Sequence, residues 1–84
     1  MKEKLIADWL LDCGPMERAL LDAEYKYNCE LDASQFRMTI QAWLDSYYEN
    51  GVDPFDDNEC VACDYWLEDE GFELIEKVAK EKAL

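Results

Sequence analysis

The middle of the chain lacks positive charge. Residues 38–76 contain no lysine, arginine or histidine, and no histidine occurs anywhere in the sequence. The same stretch carries twelve acidic residues, so it holds −12 of the net charge of −13. Such a field repels nucleic acid and anionic membranes and attracts basic surfaces. We therefore expect a basic protein as partner and no direct binding of nucleic acid or of a membrane.

Residues that usually perform catalysis are also scarce. Ser34, Ser46 and Thr39 are the only aliphatic hydroxyls, and none lies in a nucleophile motif. No glycine-rich loop is present to bind a phosphate. Asp64 and Glu68 stand one helical turn apart, but such a pair among other acids is typical of a solvated helix face. We expect no enzymatic activity.

Two metal-binding patterns are incomplete. Cys60 and Cys63 form a C-x-x-C pair, but Cys13 and Cys29 stand alone, and a structural zinc site needs four ligands. The acidic connector 53–59 has no glycine at the sixth position of an EF-hand register. No metal and no other cofactor is predicted. For Cys60 and Cys63 core packing is favoured, with oxidation and metal binding as alternatives.

Long apolar runs and export signals are missing as well. No apolar run approaches the length needed to span a membrane. The amino-terminal segment 1–13 has Asp8 and Asp12 inside its apolar part and no small-residue cleavage site. A cytoplasmic location with reduced thiols is expected.

Half of the 84 residues are apolar, which favours a folded chain despite its charge. The length predicts a single acidic helical domain, residues 1–84. A core of this size contributes about 3–5 kcal/mol to stability. A homodimer or a bound partner would add to this, and a homodimer is one expected state.

Helical periodicity dominates the first half. Apolar residues at helical spacing predict a helix over residues 2–13, with Gly14 ending it and Pro15 opening the next. Residues 16–50 have two interpretations: one helix, or a break near residues 28–31. In the second, Asp32 is an N-cap and Gln35 its capping-box partner. The break is favoured because one helix would be about 50 Å long.

Asn50 and Gly51 predict the end of that segment, and a connector follows. Asp56 is the candidate N-cap of the last helix, with Glu59 as its capping-box partner and Phe55 and Cys60 as a hydrophobic staple. Gly71 lies beside the core stripe, where it either kinks the helix or allows close approach. The stripe itself is Cys60, Cys63, Leu67, Leu74 and Val78. The fold class is all-α, a small bundle of three to four helices.

The last helix carries more aromatic residues than one stripe can bury. Val61, Tyr65 and Phe72 form a second apolar line, and Trp66 lies on neither. Exposed aromatic residues beside fixed charge are typical of interfaces. The alternative is that Tyr65, Trp66 and Phe72 cover the long helical segment from inside, with the acids giving solubility.

In size, charge balance and lack of a catalytic motif, the chain resembles the small acidic phage-encoded anti-CRISPR and anti-restriction proteins. The resemblance implies an inhibitor that binds a CRISPR effector or restriction enzyme and blocks DNA access by charge mimicry. Duplex DNA carries one charge per about 1.7 Å, so twelve carboxylates match about 20 Å of duplex.

On this hypothesis, carboxylates meet the lysines and arginines that would hold phosphates, and aromatic rings fill the gaps. The alternative is a non-catalytic adaptor or regulator, in which aromatic residues supply affinity and acids steer association. The candidate partner-binding residues are Asp53, Asp56, Asp57, Asp64, Glu68, Asp69, Glu70, Tyr48, Tyr65 and Trp66.

Overall fold

The computed structural model describes residues 4–83. Within them the chain forms four helices and no β-strand, which confirms the predicted all-α bundle. The third and fourth helices are each built from joined segments. A 3₁₀ turn runs directly into α3, and α4 continues through a π-helical turn into α5, so α4 and α5 together form the fourth helix. The elements are α1 (Ala7–Leu11), α2 (Gly14–Tyr27), the 3₁₀ turn (Ala33–Phe36), α3 (Arg37–Glu49), α4 (Glu59–Trp66), the π turn (Leu67–Gly71) and α5 (Phe72–Ala83).

The first helix is shorter than predicted. It begins at Ala7, whereas the prediction began at residue 2, and residues 1–3 lie outside the described part of the chain. The N–H of Leu5 donates to the Tyr48 hydroxyl at 3.0 Å, and that of Ala7 donates to Oε1 of Gln41 at 2.9 Å. Ile6 is extended, and these bonds to α3 satisfy the N–H groups on either side of it without a further helical turn.

The break between α2 and α3 lies where it was predicted. Asn28 ends α2 in the left-handed conformation at φ 52°. The carboxylate of Asp32 accepts from the N–H of Ser34 at 3.0 Å, and Oε1 of Gln35 accepts from the N–H of Asp32 at 3.1 Å. This is the expected capping box, so the alternative of one long helix is wrong.

The start of the last helix differs from the prediction. Asn58 is its N-cap, and Oδ1 of Asn58 accepts from the N–H groups of Cys60 and Val61. Asp56 and Asp57 have φ values of 51° and 59°, so the chain makes a left-handed turn at the residue predicted to cap the helix. Asp tolerates this conformation better than most residues. The predicted staple is also wrong, because Cys60 is exposed.

The buried stripe of the last helix follows the prediction as far as the π turn, apart from the exposed Cys60, and is shifted by one residue after it. Cys63 and Leu67 are buried as predicted. Beyond the π turn, Ile75 and Ala79 are buried in place of the predicted Leu74 and Val78, which are half-buried. A π turn inserts one extra residue into an α-helix, and this insertion moves every later side chain round the axis.

Trp66 is fully buried, at 0% exposure, which corrects the expectation of an exposed aromatic residue. Its six-membered ring lies against the backbone of Gly71. A Cβ at residue 71 would lie 2.7 Å from Cε3 and Cζ3 of Trp66 and 3.1 Å from Cδ2 of Leu67. Of the two expected roles for Gly71, the structure therefore shows close approach, by an indole ring of the same helix.

The helices assemble into an elongated body with extents of 45 × 20 × 18 Å. α2 packs on α5, α1 packs on α3, and α4 packs on both α1 and α2. Within residues 4–83, no helix is both long and apolar enough to cross a membrane.

Candidate partner-binding surface

Phe55 fixes the acidic connector to the body of the protein. Its side chain is 1% exposed and contacts three aromatic rings. The ring centroids of Trp43 and Tyr47 lie 5.3 Å away, and that of Tyr65 lies 5.6 Å away. Because one buried ring holds the segment on α3 and α4, the acids on either side of it have defined positions.

Four of the predicted residues come together at this connector. Oδ1 of Asp53 accepts from the N–H of Phe55 at 3.2 Å. Burial raises the pKa of the Tyr48 hydroxyl, and the nearby carboxylates of Asp53 and Asp57 raise it further. Asp56 is exposed on the same left-handed turn. We call Tyr48, Asp53, Asp56 and Asp57 the connector group.

Two further predicted acids are held by indole N–H groups. Nε1 of Trp43 donates to Oδ2 of Asp69 at 2.9 Å, and Nε1 of Trp66 donates to Oε1 of Glu70 at 3.1 Å. Glu70 also lines a shallow cleft whose other walls are residues of α3: Met38, Thr39, Ala42, Trp43 and Ser46. We call Asp69 and Glu70 the indole-bound acids.

Trp43 connects these two parts of the surface. One side of its ring contacts Phe55 in the connector, while its N–H holds Asp69 in the π turn. The sequence analysis did not predict this hydrogen bond. No local signal points to it, because the two residues are 26 positions apart in the chain.

The remaining predicted acids are not gathered into the same place. Asp64 faces the start of α2, where it lines a depression with Pro15, Arg18 and Phe72. Glu68 is exposed, and no hydrogen bond joins it to either group within residues 4–83. The acids of the last helix therefore point to more than one side of the molecule.

The aromatic residues of the last helix have different positions. Tyr65 is 46% exposed and borders the connector through its contact with Phe55. Phe72 is also exposed, but it faces α2 because the π turn separates it from Tyr65. Trp66 is buried, so direct contact with a partner is not available to it. Of the three, only Tyr65 lies beside the connector group.

The salt bridges within the described residues use acids outside the connector group and the indole-bound acids. Glu76 pairs with Lys26 and Lys80, each at 3.6 Å, and Asp8 pairs with Arg37. A hydrogen bond from the Tyr27 hydroxyl holds the pKa of Glu76 below its usual value, and the two lysines lower it further. In contrast, Asp64, Glu68, Asp69 and Glu70 make no salt bridge within residues 4–83.

Replacing Trp43 by phenylalanine should lower the free energy of unfolding by about 1–2 kcal/mol, because Asp69 loses the N–H that holds it. Urea denaturation measures this change. Trp9→Phe is the control, since this half-exposed indole makes no hydrogen bond through its N–H within residues 4–83. An equal effect of both substitutions would show that the bond to Asp69 contributes nothing.

Comparison of the chain with protein-family models, with curated proteins and with solved structures finds no match. Within residues 4–83, no group of three or more Cys, Asp and Glu side chains is arranged to hold a metal ion. The function must therefore be inferred from the shape and charge of the surface.

Proposed function

We propose that the protein is a small acidic inhibitor that binds a basic nucleic-acid-binding protein and blocks its access to DNA by charge mimicry. The proposed targets are CRISPR effectors and restriction enzymes, and the proposed location is the cytoplasm in which they act. The observation that carries the proposal is the connector group. It places three carboxylates beside the anchored Phe55, with Asp56 exposed and Asp53 and Asp57 half-buried, within a stretch that has no lysine or arginine.

The fixed geometry of these acids favours binding. Asp53 is held by a backbone N–H, and Asp69 and Glu70 are held by indoles. Each carboxylate has about four lone-pair sites, so these bonds leave acceptors for the lysines and arginines of a partner. Since the side chains are already ordered, less conformational entropy is lost when the complex forms.

The charge density of the protein is lower than that of DNA but of the same order. A duplex as long as the 45 Å axis carries about 26 phosphate charges, against the net charge of −13. Part of the DNA charge is neutralised by condensed counterions, so the effective charge densities of DNA and of the protein are closer than these numbers. Competition for a groove that binds several phosphates is therefore physically reasonable.

Neutralising the connector group tests the proposal. We expect Asp56→Asn combined with Asp57→Asn to weaken inhibition on the order of tenfold, because two negative charges of the connector group are removed. Asparagine tolerates the left-handed conformation, so the turn is retained. Inhibition of DNA cleavage by a panel of purified CRISPR effectors and restriction endonucleases is the measurement.

The matched control is Asp22→Asn combined with Glu81→Gln. It removes the same charge from exposed residues of α2 and α5, outside the connector group and the indole-bound acids. Equal weakening by both double variants would mean that only net charge matters, and the proposed surface would be wrong.

A second candidate function, a protein–protein adaptor, is favoured by apolar side chains outside the acidic surface. Tyr25 is 93% exposed on α2, and Leu21, one helical turn before it, is exposed as well. Pairing of two copies through this face would give a homodimer. For an adaptor that binds through this face, Tyr25→Ala should weaken binding more than neutralising Asp56 and Asp57, and for a mimic the order is reversed. Trp66→Ala does not discriminate, because Trp66 is a core residue.

A further inference from the structure

A shallow cleft lies between α3 and the end of the π turn. One face of α3 forms most of its lining, and Glu70 forms the other wall. Met38, Ala42 and Trp43 make the α3 side largely apolar. The Met38 side chain is 82% exposed, and Ala42 is exposed beside it. Because methionine is flexible, it adapts its shape to a group that packs on it.

The carboxylate of Glu70 is held in place but not neutralised. Its Oε1 accepts from the N–H of the buried Trp66 at 3.1 Å, and its Oε2 makes no hydrogen bond within residues 4–83. The preceding residue, Asp69, is fixed at 2.9 Å by the N–H of Trp43, which itself lines the cleft. The cleft therefore combines an apolar side with negative charge in a defined position.

The chain does not supply a cation to this cleft. Residues 38–76 contain no lysine or arginine, and Arg37, at the start of α3, is paired with Asp8. Neither Asp69 nor Glu70 takes part in a salt bridge within residues 4–83. A cation from another molecule is therefore the group whose charge complements the cleft.

The shape of the cleft favours a side chain of another protein over a free small molecule. Its volume is about 530 Å³, within the range of about 300–1,000 Å³ that is usual for ligand sites. It is open to solvent, however, whereas sites for small molecules bury at least about 70% of the ligand surface. A side chain presented by a folded partner does not need such enclosure, because the rest of the interface holds it in place.

We propose that this cleft receives an arginine side chain of the basic partner. The guanidinium group donates to the Glu70 carboxylate, and the methylene groups pack on Met38 and Ala42. This contact rests on the proposed function, since the arginine is one that otherwise holds a DNA phosphate.

The chemistry of the cleft favours arginine over lysine. A guanidinium group is planar and weakly hydrated, and its fixed N–H donors match a carboxylate at two points. A carboxylate has about four lone-pair sites, so Glu70 can accept two such bonds as well as that from Trp66. The lysine ammonium is a strongly hydrated point charge, which gains less from an apolar wall.

The indole N–H signals of the three tryptophans test this proposal by NMR. The probe is the capped tripeptide Ala-Arg-Ala, titrated into isotope-labelled full-length protein at low salt, with capped Ala-Lys-Ala as the comparison. We expect the signals of Trp43 and Trp66 to shift saturably with the arginine peptide, and the lysine peptide to bind several-fold more weakly. Trp9 lies on α1 and does not line the cleft, so its signal should stay unchanged.

Glu70→Gln isolates the charge of the cleft. Glutamine keeps a carbonyl oxygen for the N–H of Trp66, so the fold should be retained, while affinity for the arginine peptide should fall about tenfold. Glu68→Gln is the matched control, because Glu68 is exposed in the same π turn but does not line the cleft. Glu70→Gln should also weaken inhibition of DNA cleavage more than Glu68→Gln does.

The proposal is overturned by an absence of saturable shifts, by equal binding of the two peptides or by equal effects of the two substitutions. The same shifts on raising the protein concentration alone would also overturn it, since they would place a second copy in the cleft. Any of these results leaves charge mimicry standing if duplex DNA still competes for inhibition. Conversely, selective binding of the arginine peptide by a protein that inhibits no DNA-cleaving enzyme would support the arginine site and contradict the proposed function.

Discussion

Replacing Phe55 by alanine should lower the free energy of unfolding by about 3–4 kcal/mol. The side chain is 1% exposed and packs among the rings of Trp43, Tyr47 and Tyr65, so its loss leaves a cavity that rigid rings fill poorly. This loss is comparable with the whole stability of about 3–5 kcal/mol expected for a core of this size. Urea denaturation followed by tryptophan fluorescence measures it.

The conservative variant Phe55→Leu should lose about 1–2 kcal/mol, because most of the apolar volume is kept while the ring contacts are removed. Val52→Ala is the control at an exposed position of the same connector, and we expect a change within about 0.5 kcal/mol. If Phe55→Ala were as stable as Val52→Ala, the connector would not be anchored and the connector group would have no fixed geometry.

Gly71→Ala should lower the free energy of unfolding by about 1–3 kcal/mol. The new methyl group would lie 2.7 Å from the buried ring of Trp66, which has no free space in which to move. Helix propensity alone predicts the opposite sign, since alanine is favoured over glycine by about 1 kcal/mol within a helix. The sign of the measured change therefore distinguishes the steric effect from propensity.

Gly14→Ala is the matched control, because a Cβ at residue 14 meets no atom within 4 Å. Its free energy of unfolding should be unchanged or higher by up to about 1 kcal/mol. Combining Gly71→Ala with Trp66→Phe should be non-additive, since the smaller ring vacates the space that the methyl group needs. Strict additivity would show that the two residues do not compete for that space.

Features set by local interactions could be predicted from the sequence. The break before α3 depends on Asp32 and Gln35, which cap the new helix within four residues of chain. Likewise Gly51, at φ 70°, follows the end of α3 as expected of a glycine after a helix. In both places the residues that determine the conformation are neighbours in the sequence, so their spacing contains the information.

Features set by tertiary packing could not be predicted in the same way. A regular helix predicts Leu74 and Val78 in the core, but the π turn brings in Ile75 and Ala79. The turn accompanies the burial of Trp66 over Gly71, and periodicity at 100° per residue cannot show such an insertion. The start of α4 at Asn58 similarly depends on tertiary packing, because the burial of Phe55 fixes the connector that precedes the helix.

The sequence analysis selected the residues of the candidate surface, but it did not predict which of them lie together. Sequence reasoning selected Asp53, Asp56, Asp57 and Tyr48, which the fold brings together. It grouped Asp64 with Asp69, although the first faces α2 and the second is held by Trp43 of α3. Charge alone identifies the acids, whereas their grouping depends on contacts between residues distant in the chain.

Competition with duplex DNA tests charge mimicry most directly. Inhibition of a susceptible CRISPR effector or restriction endonuclease would be titrated at several concentrations of non-cleavable duplex and at two salt concentrations. Mimicry predicts that the concentration of the protein that gives half inhibition rises in proportion to the duplex concentration. It should also rise at least about tenfold when the salt concentration is raised from 50 to 200 mM. Half inhibition that stays constant under both changes would contradict the proposal that this acidic surface occupies a DNA-binding groove.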